Sequence, residues 1–432
     1  MKPSGFVRGV AVAALLLLAI LPSTAAARAQ AAAPSNLTFE GGESFGVPLE
    51  LVDNRIFVEV WLEGRGPFKF ILDTGGYGGL SVETARRVGL KLGNEVEGRG
   101  AGESVVKAWE TSVKETRIGG GTGGSGSAGS QSRSAGAGSK AGLVLRDQDF
   151  RVFDFSDMRH VFGSEVFDGV IGLPVFSQAV VRVDYERRRL TFTKPSSFEY
   201  RGAAAGVPFE LERYLPIVRG EVDGSPVRLG LDTGDRSAFT LKGPFVEEHR
   251  LRERYAPKVE AVTGWGIGGP IRAQVVRLSS LKFAGFEIKE PVTRLSLQRS
   301  GAFAAGDTAG NVGGAILKQF TVTFDYTRRR LFFEKGSAYG RRLTYDRAGL
   351  WLSRSADGRA FEVYDVVAHG PSDEAGLKVG ERVVAVDGKG VESLKLIATR
   401  DELKDARRRS VRLTVQTGAT TREVVVRLRD LV

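Results

Sequence analysis

Two matching stretches constrain this chain more than anything else in it: Phe70-Ile71-Leu72-Asp73-Thr74-Gly75-Gly76, and far downstream Leu229-Gly230-Leu231-Asp232-Thr233-Gly234-Asp235. A lone Asp-Thr-Gly is a weak signal, since a given triplet arises by chance about once in a few thousand positions at ordinary residue usage. Here the agreement extends outward. Pro67 and Pro226 stand at the same distance before the two aspartates, each after a turn (Gly64-Arg65-Gly66; Asp223-Gly224-Ser225) and before a strand-like run. Downstream, Val170-Ile171-Gly172 leads to Asp184-Tyr185 with Arg187-Arg188-Arg189, and Asn311-Val312-Gly313 leads to Asp325-Tyr326 with Arg328-Arg329-Arg330. The spacing from Gly172 to Asp184 equals that from Gly313 to Asp325. The chain contains an internal duplication, and each copy sets an aspartate at a strand end.

Between these landmarks the pattern is strand-rich. In the first half Ile56–Leu62, Phe68–Leu72, Phe150–Phe155, Val180–Asp184 and Leu190–Lys194 carry β-branched or aromatic residues between turn signals. Ser81–Gly89 reads as a helix. Gly119–Gly142 is a Gly/Ser/Ala tract with too few apolar side chains to pack, and it reads as an excursion or linker. In the second half Tyr214–Val222, Val227–Leu231, Val275–Leu281 and Phe320–Phe324 read as strands and Phe245–Arg250 as a short helix.

A strand ending in Asp-Thr-Gly followed by hydrophobic-hydrophobic-Gly, twice over, resembles the aspartic proteases, and most closely the bacterial retropepsin-like group with two fused lobes and a PDZ domain behind them. The PDZ likeness rests on Ala375-Gly376-Leu377-x-x-Gly380-x-x-Val383-x-x-Val386-Asp387-Gly388, although Glu381 stands where that family usually has Asp. The resemblance implies a mainly β architecture of two pseudo-symmetric retropepsin-like β-barrel lobes in one chain, followed by a PDZ domain. The implied bounds are a signal peptide at 1–29, a first lobe at 30–205 with a Gly/Ser-rich insert at 119–142, a second lobe at 206–338 and the PDZ domain at 339–432.

By the same resemblance Asp73 and Asp232 form a catalytic dyad. Thr74 and Thr233 bond across the two loops, and Gly75 and Gly234 allow close approach beside the carboxyls. The Gly-rich turns at Gly98–Gly102 and Gly264–Gly269 are flap candidates, with Gly98, Gly100, Gly264 and Trp265 as their named residues. Two like charges held close cannot both ionise readily, so the pair shares a proton. One member then deprotonates a water and the other donates to a substrate carbonyl. Asn311 breaks the second hydrophobic pair, and Asp235 follows the second triplet where small residues are common. Asp235 is expected to raise the dyad's apparent pKa unless Arg236 neutralises it.

In the PDZ segment the loop Gly349-Leu350-Trp351-Leu352 is where backbone N–H groups would receive a peptide's terminal carboxylate, with Trp351 departing from the usual Gly-Leu-Gly-Phe. Phe361–Val367, Val411–Val415 and Glu423–Leu428 read as strands, and Arg400–Ala406 as the helix that flanks the groove.

The remaining features narrow the function classes. Lys2 and Arg8, the apolar run Val10–Leu21 and Ala27-Arg28-Ala29 read as a cleaved export signal, with an uncleaved anchor as the rival reading. The run is short for a membrane span, so membrane contact is expected only during export to a periplasm or the extracellular space. The absence of cysteine excludes disulfides, thiol catalysis and Cys-ligated metal. His160, His249 and His369 lack ligand spacing, and no convincing Gly-x-Ser-x-Gly elbow appears, so no metal or cofactor is expected. The formal charge of +11 lacks the aromatic interleaving of a nucleic-acid surface. Gly264, Gly266 and Gly269 fit G-x-G-x-x-G, as do Gly119, Gly121 and Gly124, but no helix clearly follows and the second lies in low complexity, so nucleotide binding is rejected. The sequence therefore reads as an exported aspartic endopeptidase acting on peptides or unfolded proteins, with C-terminal or internal segments docking on the PDZ domain. The alternative is a non-catalytic peptide-binding adaptor that keeps the protease shape.

Overall fold

The computed structural model describes residues 36–120, 141–163 and 167–432. The signal read at 1–29 and the interior of the Gly/Ser tract lie outside the described residues. The architecture is mainly β, in four sheets among the described residues.

The approach strand β1 (Arg65–Leu72) forms because Phe68, Phe70 and Leu72 alternate onto one buried face. It pairs antiparallel with Arg55–Leu62 and parallel with the short β2 (Gly169–Ile171), Phe70 opposite Gly169 and Leu72 opposite Ile171. These belong to a nine-stranded sheet over residues 37–171, which closes on itself where Val106–Gly119 pairs with Gly142–Phe153. That long hairpin bears the Gly/Ser tract: Gly119 and Gly142 are its last paired residues. The helix expected at Ser81–Gly89 is Val82–Val88. Ser81 Oγ accepts the Thr84 N–H at 2.9 Å, and Gly89 ends the helix in the left-handed region at φ 82. Between the strand Gly142–Phe153 and β2 the chain makes α1 (Ser156–Phe162).

The second half builds a ten-stranded sheet over residues 210–313. In it β3 (Ser225–Asp232) pairs antiparallel with Leu215–Val222 and parallel with a strand far downstream, so that Leu229 faces Gly310 and Asp232 faces Gly313. Its outer hairpin is β4 (Val259–Gly266) and β5 (Gly269–Arg277), followed in chain order by β6 (Gly310–Gly313). The strand expected at Val275–Leu281 is two strands, since β5 stops at Arg277 and Ser280–Phe283 pairs elsewhere. The helix expected at Phe245–Arg250 spans Gly243–Glu248.

A third sheet of six strands joins the halves. Val180–Asp184 pairs with Phe320–Asp325, with Val181 opposite Phe324. Phe176 from the first half meets Phe324 edge-on at 5.3 Å, and both are fully buried. Each such ring contributes about 1.5–3 kcal/mol by burial, and Phe176→Ala would cost about 3–5 kcal/mol by the cavity it leaves. One continuous hydrophobic cluster runs from Leu37 to Val367 through both halves. This shared core holds the two aspartate loops against one another.

The last sheet contains β7 (Leu350–Arg354) at one edge, β8 (Phe361–Val366) beside it, and the hairpin Ser410–Thr417/Thr420–Arg427. It has its own core, from Ala348 to Leu428. The helix against β7 is α2 (Leu396–Glu402), which starts and ends earlier than the Arg400–Ala406 expected from sequence.

Candidate functional site

Asp73 follows the last residue of β1 and Asp232 is the last residue of β3. The next residue of each loop ties the two together. Thr74 N donates to Thr233 Oγ1 at 3.0 Å and Thr233 N donates to Thr74 Oγ1 at 3.0 Å. Each hydroxyl then donates to the opposite strand: Thr74 Oγ1 to Leu231 O at 2.7 Å, Thr233 Oγ1 to Leu72 O at 2.8 Å. Both threonines are wholly buried. Four reciprocal bonds in a low-dielectric setting fix the separation of the loops.

Two carboxyls are thereby brought together. A Cβ added to Gly234 would fall 2.4–2.6 Å from the Asp73 carboxyl, and one on Gly75 would fall 3.3 Å from carboxyl oxygens of both aspartates. Gly75 N donates to Asp73 Oδ1 at 2.7 Å, and Gly234 N and Asp235 N donate to Asp232 Oδ1 at 2.9 and 3.0 Å. Burial raises the Asp73 carboxyl, against the Gly75 amide, the Arg55 charge and a hydrogen bond to Asp232. Burial, then the charges of Asp73 and Asp235, push Asp232 well above the usual carboxylate range, against the Gly234 amide and Asn311. The pair therefore holds a proton where isolated carboxylates would have lost theirs.

The residue that breaks the second hydrophobic pair belongs to the site: Asn311 Nδ2 donates to Asp232 Oδ2 at 3.0 Å, while its Oδ1 is buried without a partner among the described residues. Asp235 is paired with Arg294, at 3.3 Å, and not with Arg236 as the sequence suggested; Ser237 and Thr240 also donate to it. Arg236 instead reaches Asp53 at 2.5 Å, and Arg55 joins the same carboxylate at 3.0 Å while its Nε donates to Gly234 O at 2.8 Å. Burial works to raise Asp53; Arg236 and then Arg55 outweigh it and hold the carboxyl well below its ordinary value. This Arg55–Asp53–Arg236 cluster supports the second loop from beneath. Arg55 and Asp53 carry no sequence signal, because Gly234 and Arg236 lie in the other half of the chain. Asn311 did: a polar residue where the duplicate has Val170 marks a place where something must be bonded.

The flap candidates separate in the fold. Gly98 ends the strand Glu95–Gly98 and packs on Phe153, whereas Gly100 lies against Ile267 at the tip of the β4–β5 hairpin. The two turns bond tip to tip: Gly102 N to Ile267 O at 2.8 Å, Ser104 N to Gly268 O at 3.0 Å, with Gln298 Nε2 holding Ala101 O at 2.7 Å. Gly264 faces the Arg294 guanidinium, and Trp265 meets Tyr364 of the last sheet edge-on at 5.0 Å.

At Gly349–Leu352 the loop amides are already engaged. Gly349 N and Leu350 N donate to Asp346 Oδ1 at 2.5 and 3.1 Å. Burial raises that carboxyl to about 6. Trp351 is buried between two guanidiniums, Arg400 at 4.2 Å and Arg236 at 5.3 Å from its ring. Leu352 is buried in the core of the last sheet. Among the described residues no three His, Asp or Glu side chains converge as metal ligands would.

Comparison with known proteins adds the following. A family model for PDZ domains matches residues 362–417, so the chain contains a PDZ domain there. No curated protein matches the chain. Among solved structures, basic 7S globulin from soybean is similar at a TM-score of 0.39 and 9% identity, over 70% of this chain and 97% of that one. That likeness is too slight to carry an argument about this fold.

Proposed function

We propose that the chain is an exported, retropepsin-like aspartic endopeptidase in which Asp73 and Asp232 activate one water between them, with the PDZ domain docking peptide or protein segments. The observation that carries this reading is the reciprocal Thr74/Thr233 bonding, which brings two carboxyls of raised pKa into contact. A structural aspartate in a turn has no need of a second one against it.

The chemistry follows from the pair. With one proton shared, the ionised carboxylate takes a proton from water as the water oxygen bonds to the peptide carbonyl carbon. The protonated partner gives its proton to the carbonyl oxygen, and the resulting diol collapses as the proton taken from water passes to the departing nitrogen, the C–N bond breaks and a diol hydroxyl returns its proton to the partner carboxylate. Arg55 favours charge on Asp73, and the negative Asp73 and Asp235 favour the proton on Asp232. The bonded tips at Gly102/Ile267 have the form of a closure over an extended substrate.

Hydrolysis of an unfolded protein, followed with wild type, Asp73→Asn and Asp232→Asn, tests the reading. Loss of about 10²–10⁴-fold is expected in either variant, and full activity in either one sinks the dyad. The PDZ match favours peptide docking whether or not the lobes hydrolyse. A non-catalytic adaptor would therefore bind C-terminal peptides yet ignore a transition-state inhibitor directed at aspartic proteases.

A further inference from the structure

The groove between β7 and α2 is where a PDZ domain adds a peptide strand. Among the described residues β7 pairs only with β8, which leaves its other edge for an added strand. On the two-residue period of a strand, Leu350, Leu352 and Arg354 turn their backbone groups to that edge. One backbone group of each is engaged from within the chain. Leu350 N donates to Asp346, Leu352 O accepts from Arg400 Nε at 3.0 Å, and Arg354 O accepts from His160 Nδ1 at 3.0 Å.

His160 belongs to α1, an element of the first half. Arg400 Nη1 also donates to Val161 O at 3.0 Å, closing the last turn of α1 onto α2. Val161 packs with Trp351, and Phe162 clusters with Ile397. Gly163, at φ 69, sits so close that a Cβ there would come 2.9 Å from Leu396 Cβ. The chain's own helix and side chains thus fill the place of a peptide.

Beside the loop end of this edge is a cavity of about 330 Å³ between the PDZ domain and the second half. Its five cationic side chains, Arg294, Lys318 and Lys404 among them, outnumber its three carboxylates. Trp351 lines it, 7% exposed, with an indole N–H that has no partner among the described residues. Excess positive charge and a waiting donor suit the carboxylate end of a chain.

We propose that α1 is the resident occupant of the PDZ groove, and that an extended peptide with a free C-terminal carboxylate binds by displacing it. The incoming carboxylate replaces Asp346 at the Gly349 and Leu350 amides, and the incoming strand replaces Arg400 and His160 along β7. This rests on the peptide-docking half of the function proposed above. Displacement would also take Phe162 off Arg55, which it meets at 5.2 Å, so that the groove and the loop carrying Asp232 share a support.

A resident occupant lowers apparent affinity by the fraction of molecules in which it has left. The test is equilibrium binding of a pool of decapeptides, randomised over their last four positions and carrying free carboxyl ends, to the full chain and to Gly163→Val. That change wedges α1 from Leu396. Arg400→Leu is the second variant, keeping the buried volume while removing the donors that hold Leu352 O and Val161 O. Either variant is expected to bind the pool at least about tenfold more tightly than wild type. The amidated pool should bind none of the three as well, and hydrogen exchange in residues 156–162 of wild type should quicken when the free-acid pool binds. Equal affinity in all three proteins, with exchange in 156–162 unchanged, overturns the displacement and leaves peptide docking standing. No binding to any of them ends both.

Discussion

Gly75 and Gly234 hold corresponding places beside the two carboxyls, yet their surroundings differ by almost an ångström. An added methyl on Gly234 would overlap the Asp73 carboxyl at 2.4 Å, whereas on Gly75 it would stand 3.3 Å away, a contact that a small shift relieves. Gly234→Ala is therefore expected to abolish hydrolysis and Gly75→Ala to retain a measurable fraction; equal kcat/KM values would contradict this packing. The electrostatics give a second expectation. Because both aspartates have raised values in the fold, the folded protein binds more protons than the unfolded chain once the pH exceeds about 3.9, the ordinary Asp value. The stabilisation from the pair is complete below that pH and is lost as pH rises through the raised native values. Asp232→Asn removes the ionisation, and Asn311 can turn its unpartnered Oδ1 toward the new amide. Thermal unfolding at pH 7 should place this variant above wild type in Tm. Asn311→Val removes the donor that favours ionised Asp232, so the alkaline limb of the pH–rate profile is expected to move up.

Among the elements, those built from local pattern are legible in the sequence, and those built from distant partners are not. β1 and β3 announce themselves by alternation after a turn, and Ser81 and Gly89 bracket their helix with cap residues that act within one turn. The hairpin Val106–Gly119/Gly142–Phe153 is only half legible because its strands meet across a low-complexity tract, so no short loop advertises the pairing. The PDZ helix reads too late because the charged run 400–406 hides the buried face of Leu396, Ile397 and Thr399. At the site, Asp73, Asp232 and the threonines follow from the repeat. Arg294 as the partner of Asp235, and Asp53 as the partner of Arg236, depend on strands that only the folded sheet brings together. The Thr74/Thr233 lock also sets an energy scale. Thr233→Val leaves Thr74 N and Leu72 O without their buried partner, at about 1–3 kcal/mol for each unsatisfied group. Denaturant unfolding should register that loss, while Thr233→Ser, which keeps the hydroxyl, should recover most of it.

Across the whole molecule the PDZ domain is bolted to the β4–β5 hairpin as well as to α1. Asp365, on β8, accepts the Val262 N–H at 2.6 Å through one oxygen and meets Arg272 at 3.0 Å through the other, so a single carboxylate spans β4 and β5. The two bonds differ in worth. Val262 N is buried, and leaving it unpaired costs about 1–3 kcal/mol, whereas Arg272 is half exposed and its ion pair contributes about 0–1 kcal/mol. Asp365→Asn keeps an acceptor for Val262 and should change little. Asp365→Ala should free the hairpin, quickening hydrogen exchange across 259–277 with residues 410–427 unchanged, and raising KM several-fold more than it lowers kcat, because under the proposed function the hairpin would hold substrate while the aspartates would do the chemistry. If Asp365→Ala instead lowered kcat and left KM alone, the PDZ domain would be acting on the aspartates through Trp351 and Arg236, and the flap contact would be only a spacer.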